Sequence, residues 1–195
     1  MWHKNGVNSR RRPGRSPPPP LDSRHLQDLA LRYVGKYATS RAKLAAYLAR
    51  KIRERGWNGE AAPDLAALAD RFAEQGYIDD AAFALAQSRS LASRGFGKRR
   101  LSERLRFAGI EEPDREAATR LADEQALEAA IRFAERRRIG PFSTAAGDMA
   151  QRQKWIAAMV RAGHDYSVAR ALSGMSPDAL IDLDRLRELT DRNIG

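Results

Sequence analysis

Three observations predict an all-α fold, built of tandem three-helix repeats stacked into an elongated, curved, right-handed helical array. From Asp22 onward the apolar residues recur only at helical spacing, and no alternating run bounded by turn residues is present. Helix ends are marked by a glycine followed by a bulky residue, at Gly56-Trp57, Gly76-Tyr77, Gly109-Ile110 and Gly174-Met175. This is the pattern of a left-handed cap with an apolar residue folded back on the last turn. The third observation is recurrence. Leu48, Ile52, Gly56 and Trp57 have the spacing of Leu101, Leu105, Gly109 and Ile110, and Trp155, Met159, Gly163 and His164 repeat it after about 53 residues.

Residues 1–21 form a basic tail in which Lys4, Arg10, Arg11, Arg12 and Arg15 precede the first acid, Asp22. Pro17 to Pro20 favour extended polyproline conformation, and the tail is expected to be disordered. The first repeat, 22–76, opens with Asp22 four residues before Leu26. Thr39-Ser40 caps its middle helix, and its third helix spans 63–75 with Pro63 in the first turn. In the second repeat, 77–122, Asp79 is placed to accept from free N–H groups at a helix start, with Asp80 beside it favoured by the helix dipole. Phe83 and Ala86 begin the apolar stripe and Gly95 closes the helix. After the Gly95-Phe96-Gly97 turn, Leu101, Leu105 and Ala108 carry the next stripe, and Pro113 opens a helix over 113–122. The third repeat, 123–175, places Asp123 before Leu127 as the counterpart of Asp79 and Phe83, is loosened over Ile139–Gly147, and ends with a helix over 166–173. Ser176-Pro177 then opens a last helix, Asp178 to Leu189, capping the array over 176–195. About 50 residues without disulfide or metal do not hold a domain alone, so stacking must bury each unit against its neighbours.

At 195 residues and 43% hydrophobic content the chain can bury a core. It has no cysteine, hence no disulfide framework and no thiolate metal site, which points to a reducing compartment and a cytoplasmic location. No apolar run exceeds the six residues of Ala81 to Ala86, far short of the roughly 18 a membrane span needs. The basic N-terminus lacks the apolar segment of a signal peptide. A net charge of +10 suits polyanionic partners.

Catalytic constellations are missing. His3, His25 and His164 lack the i, i+4 spacing of metal-binding helices, and Gly95-Phe96-Gly97-Lys98 lacks the remaining glycine and the strand of a phosphate loop. Asp79 and Asp80 are adjacent, do not share a side of the helix, and read as capping residues. No enzyme activity, cofactor or metal is expected. The charge is more informative. Arg41, Lys43, Arg50, Lys51, Arg53 and Arg55 face only Glu54, and Lys98, Arg99, Arg100, Arg104 and Arg106 face only Glu103. Recurrence in two successive middle helices predicts one cationic stripe that faces a partner. Arg152, Lys154 and Arg161 continue it weakly, whereas Arg136 to Arg138 end a helix where cations offset the dipole. Trp57, Tyr77, Phe83 and Trp155 read as core, and Phe96, between two glycines beside the basic helix, as the ring on display.

Tyr77-Ile78-Asp79-Asp80 with Phe83-Ala84, then Arg94-Gly95-Phe96-Gly97, then Arg100-Leu101 with Leu105 and Gly109-Ile110, resembles the central signature of the RecX regulatory proteins. Ser40-Arg41 with Leu44, Leu48 and Gly56 is similar to that family's first unit, and the resemblance runs well over 26–122 and loosely over 123–174. It implies a monomeric modulator, mostly an inhibitor, of the RecA recombinase, lying in the groove of the RecA filament on DNA and acting in recombination, repair and the SOS response. Its contacts would be Lys98, Arg99, Arg100, Arg104 and Arg106 with Arg50, Lys51 and Arg53; Tyr77, Asp79, Asp80, Phe83, Gly95, Gly97, Leu101, Leu105, Gly109 and Ile110 would be structural. The basic tail keeps a second class open, a free-standing nucleic-acid-binding repeat protein that sequesters DNA.

Overall fold

A computed structural model of the chain describes residues 19–191, the side chains of 189–191 excepted. Among these residues all regular structure is helical: α1 (Ser23–Val34), α2 (Arg41–Arg55), α3 (Leu65–Glu74), α4 (Asp80–Ser93), α5 (Lys98–Phe107), α6 (Glu112–Glu124), α7 (Ala126–Arg137), α8 (Met149–Arg161), α9 (Tyr166–Gly174) and α10 (Leu183–Asp191), with a 3-10 turn at Gly140–Phe142. The ten α-helices pack as an array around three apolar clusters. Leu26, Leu44, Leu48 and Phe72 centre the first, between α1, α2 and α3. Phe83, Leu101, Leu105 and Ala118 centre the second, between α4, α5 and α6. Met159, Val168 and Leu172 join Ala130 and Ala134 of α7 and Leu186 of α10 in the third.

Helix starts follow from side-chain capping. Asp22, Ser40, Asp64, Asp79, Asp148 and Asp165 each accept a backbone N–H of the first turn. At several ends a left-handed glycine turns the chain, and the next residue donates its N–H to the carbonyl five positions back: Ile110 to Leu105 at 3.1 Å after Gly109, His164 to Met159 at 3.1 Å after Gly163.

Several sequence expectations are corrected. Leu21, assigned to the tail, is fully buried; its N–H donates to the Gly56 carbonyl at 3.0 Å, and Arg55 Nη2 holds the Pro19 carbonyl at 2.8 Å. Residues 1–18 of the expected tail lie outside the described residues. Asp123 does not start a helix, because α6 runs on to Glu124 and only Gln125 separates it from α7. Gly174 is the last residue of α9, without a left-handed backbone, and Met175 is the cap. Ser176-Pro177 forms a turn, and α10 begins at Leu183 rather than Asp178. Tyr77, read as core, is 53% exposed. Phe96, read as displayed, packs partly buried on the second cluster with the Arg94 guanidinium 5.6 Å from its ring. In α2, Leu44 and Leu48 are fully buried, as Leu101 and Leu105 are in α5, whereas Ile52 is only partly so. Because α2 has 15 residues against 10, the buried pairs correspond when counted from the N-caps, one turn away from the register that the glycines give.

The middle helices of successive triplets meet end to end. The start of α2 rests on the end of α5: Ser40 Oγ donates to the Ala108 carbonyl at 2.6 Å while accepting the Lys43 N–H at 3.2 Å. One hydroxyl thereby serves a free donor of one helix and a free acceptor of the other. The start of α5 rests in turn on the end of α8, with the Gly97 N–H donating to the Ala162 carbonyl at 3.0 Å and the Arg99 N–H to Gly163 at 3.3 Å. A Cβ on Gly97 would lie 2.2 Å from the Gly163 carbonyl oxygen, so this joint requires glycine. Gly97→Ala should therefore destabilise the protein by about 1–3 kcal/mol in urea unfolding. The matched control Gly174→Ala, where nothing lies within 4 Å, should be neutral or slightly stabilising; equal effects of the two would mean that α5 and α8 are not in close backbone contact.

Candidate partner-binding surface

Where the first two triplets join, the polar contacts converge on Arg41, the first residue of α2. Its Nε lies 2.9 Å from Asp80 Oδ2 and its Nη2 3.0 Å from Asp114 Oδ2, with Asp70 at 3.8 Å. Asp80 also accepts the Arg41 backbone N–H at 3.1 Å, and its side chain is only 4% exposed. The hydrogen bond to Asp80, reinforced by the charges of all three carboxylates, holds the Arg41 guanidinium above the usual arginine range despite some burial. Asp79 and Asp80 thus divide their work. Asp79 caps its own helix through the Ala82 N–H at 2.7 Å, and Asp80 is turned onto the neighbouring triplet.

This joint fixes α5 with Leu101 and Leu105 inward and the opposite side exposed. The eight cations expected at the partner surface are distributed unequally over α5 and α2. Lys98 pairs with Asp123 at 2.7 Å and Arg100 with Glu103 at 3.3 Å, while Arg50 and Lys51 share Glu54 at 3.3 and 2.6 Å. Arg104 donates to neutral Gln87 Oε1 at 3.2 Å, and Arg53, Arg99 and Arg106 form no ion pair among the described residues. Lys98 reaches toward α6 and Arg104 toward α4, so the charge wraps the exposed half of α5 instead of running as a narrow stripe. Lys43 of α2 sits 4.7 Å over the Phe83 ring, and burial together with the nearby Arg104 guanidinium holds its ammonium below the usual lysine range. Phe83 and Gln87 are one turn apart on α4, so Lys43 and Arg104 lie side by side across the joint.

Phe107 was not singled out by sequence reasoning. It ends α5 and is 86% exposed, an aromatic ring among cations. Its signal was phase: it falls off the Leu101, Leu105, Ala108 stripe, where an apolar side chain finds no core of its own chain.

At the second joint a cavity of about 500 Å³ is lined by Lys98, Arg99, Asp123 and His164 among others. His164 takes the place of Ile110 behind its glycine and is 4% exposed, its Nε2 lying 3.0 Å from the Gly95 carbonyl and its ring centroid 5.4 Å from that of Phe133. The imidazole therefore fills the apolar position and adds a polar contact across the joint.

The exposed side of α5 thus combines a cationic surface with a bare aromatic ring. Over 89% of its length the chain is similar to a regulatory protein RecX of Myxococcus xanthus (strain DK1622), with 28% identity over 184 residues that make up 97% of that relative. This likeness supports assignment to the RecX family. No family model matches the chain. None of its described helices is long and apolar enough to cross a membrane.

Burial pushes the His164 imidazole below its ordinary value of 6.5, only partly opposed by the Gly95 hydrogen bond. A folded state that prefers neutral imidazole is fully stabilised above the unfolded pKa and loses that stability as pH falls below about 6.5 toward the folded value. The melting midpoint should accordingly drop between pH 7 and pH 5. His164→Leu should flatten this dependence; an unchanged slope in the variant would assign the titration elsewhere.

Proposed function

We propose that this chain is a non-enzymatic regulator of a RecA-type recombinase. In this reading it is an array of three three-helix units, 22–76, 77–122 and 123–175, closed by a C-terminal capping helix. It lies on the recombinase–DNA filament as a cytoplasmic monomer and chiefly restrains strand exchange, ATP hydrolysis and coprotease activity. The likeness to a RecX regulatory protein over nearly the full chain carries the reading. The exposed face of α5 supports the choice of surface, since Arg99 and Arg106 form no ion pair among the described residues and Phe107, next to Arg106 in the chain, stands 86% exposed. Cations set encounter and register with a polyanionic filament, while a desolvated aromatic ring supplies affinity. End-to-end joints would hold neighbouring units in fixed relation, so that one array spans more than one protomer of a repeating filament.

Recombinase ATP hydrolysis on single-stranded DNA tests this directly. The wild-type chain should suppress it at ratios well below one per protomer, since an effect on the filament need not match the DNA in amount. DNA sequestration would instead require protein in proportion to DNA. Phe107→Ala, and separately the triple change Arg99→Glu, Arg104→Glu and Arg106→Glu, should weaken suppression tenfold or more, about 1.4 kcal/mol, while moving stability by no more than about 0.5 kcal/mol per exposed site. Full potency in both variants would remove α5 from the contact.

A further inference from the structure

A groove of about 710 Å³ opens between the start of α1 and α3 in the first triplet. Leu26 and Leu68, both buried, form its apolar base, and Trp57 stands at one wall, its indole N–H donating to the Ala61 carbonyl at 2.8 Å. Three carboxylates line it, Asp64, Asp70 and Glu74, against one cation, Arg71. Asp64 and Glu74 form no ion pair among the described residues, and Asp70 meets only Arg41, at 3.8 Å. In a chain of net charge +10, this groove has the opposite sign.

The chain enters the fold at the rim of this groove. Leu21 pairs with Trp57 in a parallel bridge, its N–H donating to the Gly56 carbonyl at 3.0 Å and its carbonyl accepting the Asn58 N–H at 2.8 Å. Ser23, two residues on, already lines the groove. Residues 1–18, outside the described part, are thus tethered within a few residues of it. They carry Lys4, Arg10, Arg11, Arg12 and Arg15 with no acid, together with Trp2, Val7 and the prolines Pro13, Pro17 and Pro18. Reach is ample: a segment of this kind extends about 3.1 Å per residue, against roughly 15 Å for the whole of α3. The end of α2, where Arg55 holds the Pro19 carbonyl, adds Arg50 and Arg53 and repels the same segment, which leaves the α3 side.

We propose that residues 1–18 dock in this groove of their own chain, with arginines against Asp64, Asp70 and Glu74 and apolar residues against Trp57, as a salt-sensitive latch that ties α1 to α3. Proline-rich segments suit grooves walled by aromatic rings, because their extended form loses little entropy on binding. The carboxylates select a cationic occupant and turn away a polyanion. Between cationic occupants the tether decides, since a short linker holds the chain's own segment at an effective concentration of about a millimolar. The latch lies apart from α5 and does not depend on recombinase regulation.

Trypsin digestion of the full chain tests this, with cleavage after Arg10, Arg11 and Arg15 timed against a free peptide of residues 1–18 in the same solution. A docked segment is cut only while it is out of the groove, so the rate reads the undocked fraction. The full chain should be cut severalfold more slowly than the peptide at about 50 mM salt and approach it at about 1 M, where charges are screened within about 3 Å. Asp64→Asn with Glu74→Gln should speed cleavage severalfold at low salt, the asparagine keeping the helix cap, whereas Arg71→Gln should slow it. Equal rates in parent and double variant, or rates indifferent to salt, would overturn the proposal, with Arg71→Gln deciding if the double variant folds poorly. Protection that vanishes on dilution would overturn it in favour of a second copy's segment. Absence of protection, with the free peptide raising the melting midpoint of the parent but not of the double variant, would overturn it in favour of a basic segment of another protein.

Discussion

The array depends on what happens where one middle helix ends and the next begins. A helix terminus leaves unpaired N–H or C=O groups, and burying it without partners is costly. Here, at the two joints, one terminus is the partner of the other. Ser40 passes one hydroxyl between the start of α2 and the end of α5, and Asp80 reaches from α4 to cover the Arg41 N–H. Opposite ends of two helix dipoles are brought together as well, a favourable arrangement. Arg41 then supplies the charge that lets Asp80 be buried. A buried carboxylate without that guanidinium would be a strong destabiliser, which makes the pair a condition of the joint as well as a contribution to its stability.

The two joints solve the same problem with different chemistry. The first is side-chain work, a guanidinium among three carboxylates. The second is mostly backbone, with Gly97 pressed on Gly163 and His164 closing on the Gly95 carbonyl. Lys98 occupies the position of Arg41, but the carboxylate it finds is Asp123 at the exposed end of α6. What both joints leave outside is the far side of α5. Its inward leucines and the glycines at either end fix the helix, so the uncompensated cations and Phe107 are presented by a rigid support.

The sequence disclosed whatever depends on local geometry. Helical periodicity set the elements, and Gly76 and Gly109 were legible because a left-handed turn with a closing bulky residue leaves a two-letter mark, whereas Gly163, followed by His164, was found through the repeat spacing. Gly174 left the same mark without the geometry, since nothing near it requires a left-handed backbone. Asp123 was misread because an acid before an apolar residue also fits the last turn of a helix that continues. Asp80 looked like a capping acid, and nothing local distinguishes that from a carboxylate aimed at an arginine thirty-nine residues earlier. The α5 cations could be found by counting charges, whereas their pairing could not, because the acids that neutralise some of them lie on α6 or one turn away on the same helix.

The most direct measurement on this construction is a double-mutant cycle between Arg41→Met and Asp80→Asn, followed by urea unfolding of the full chain. A buried pair that secures the joint should give a coupling of about 2 kcal/mol, with each single change losing nearly as much stability as the double. A coupling within error of zero, as exposed ion pairs often give, would contradict the claim that this pair holds the first two triplets together.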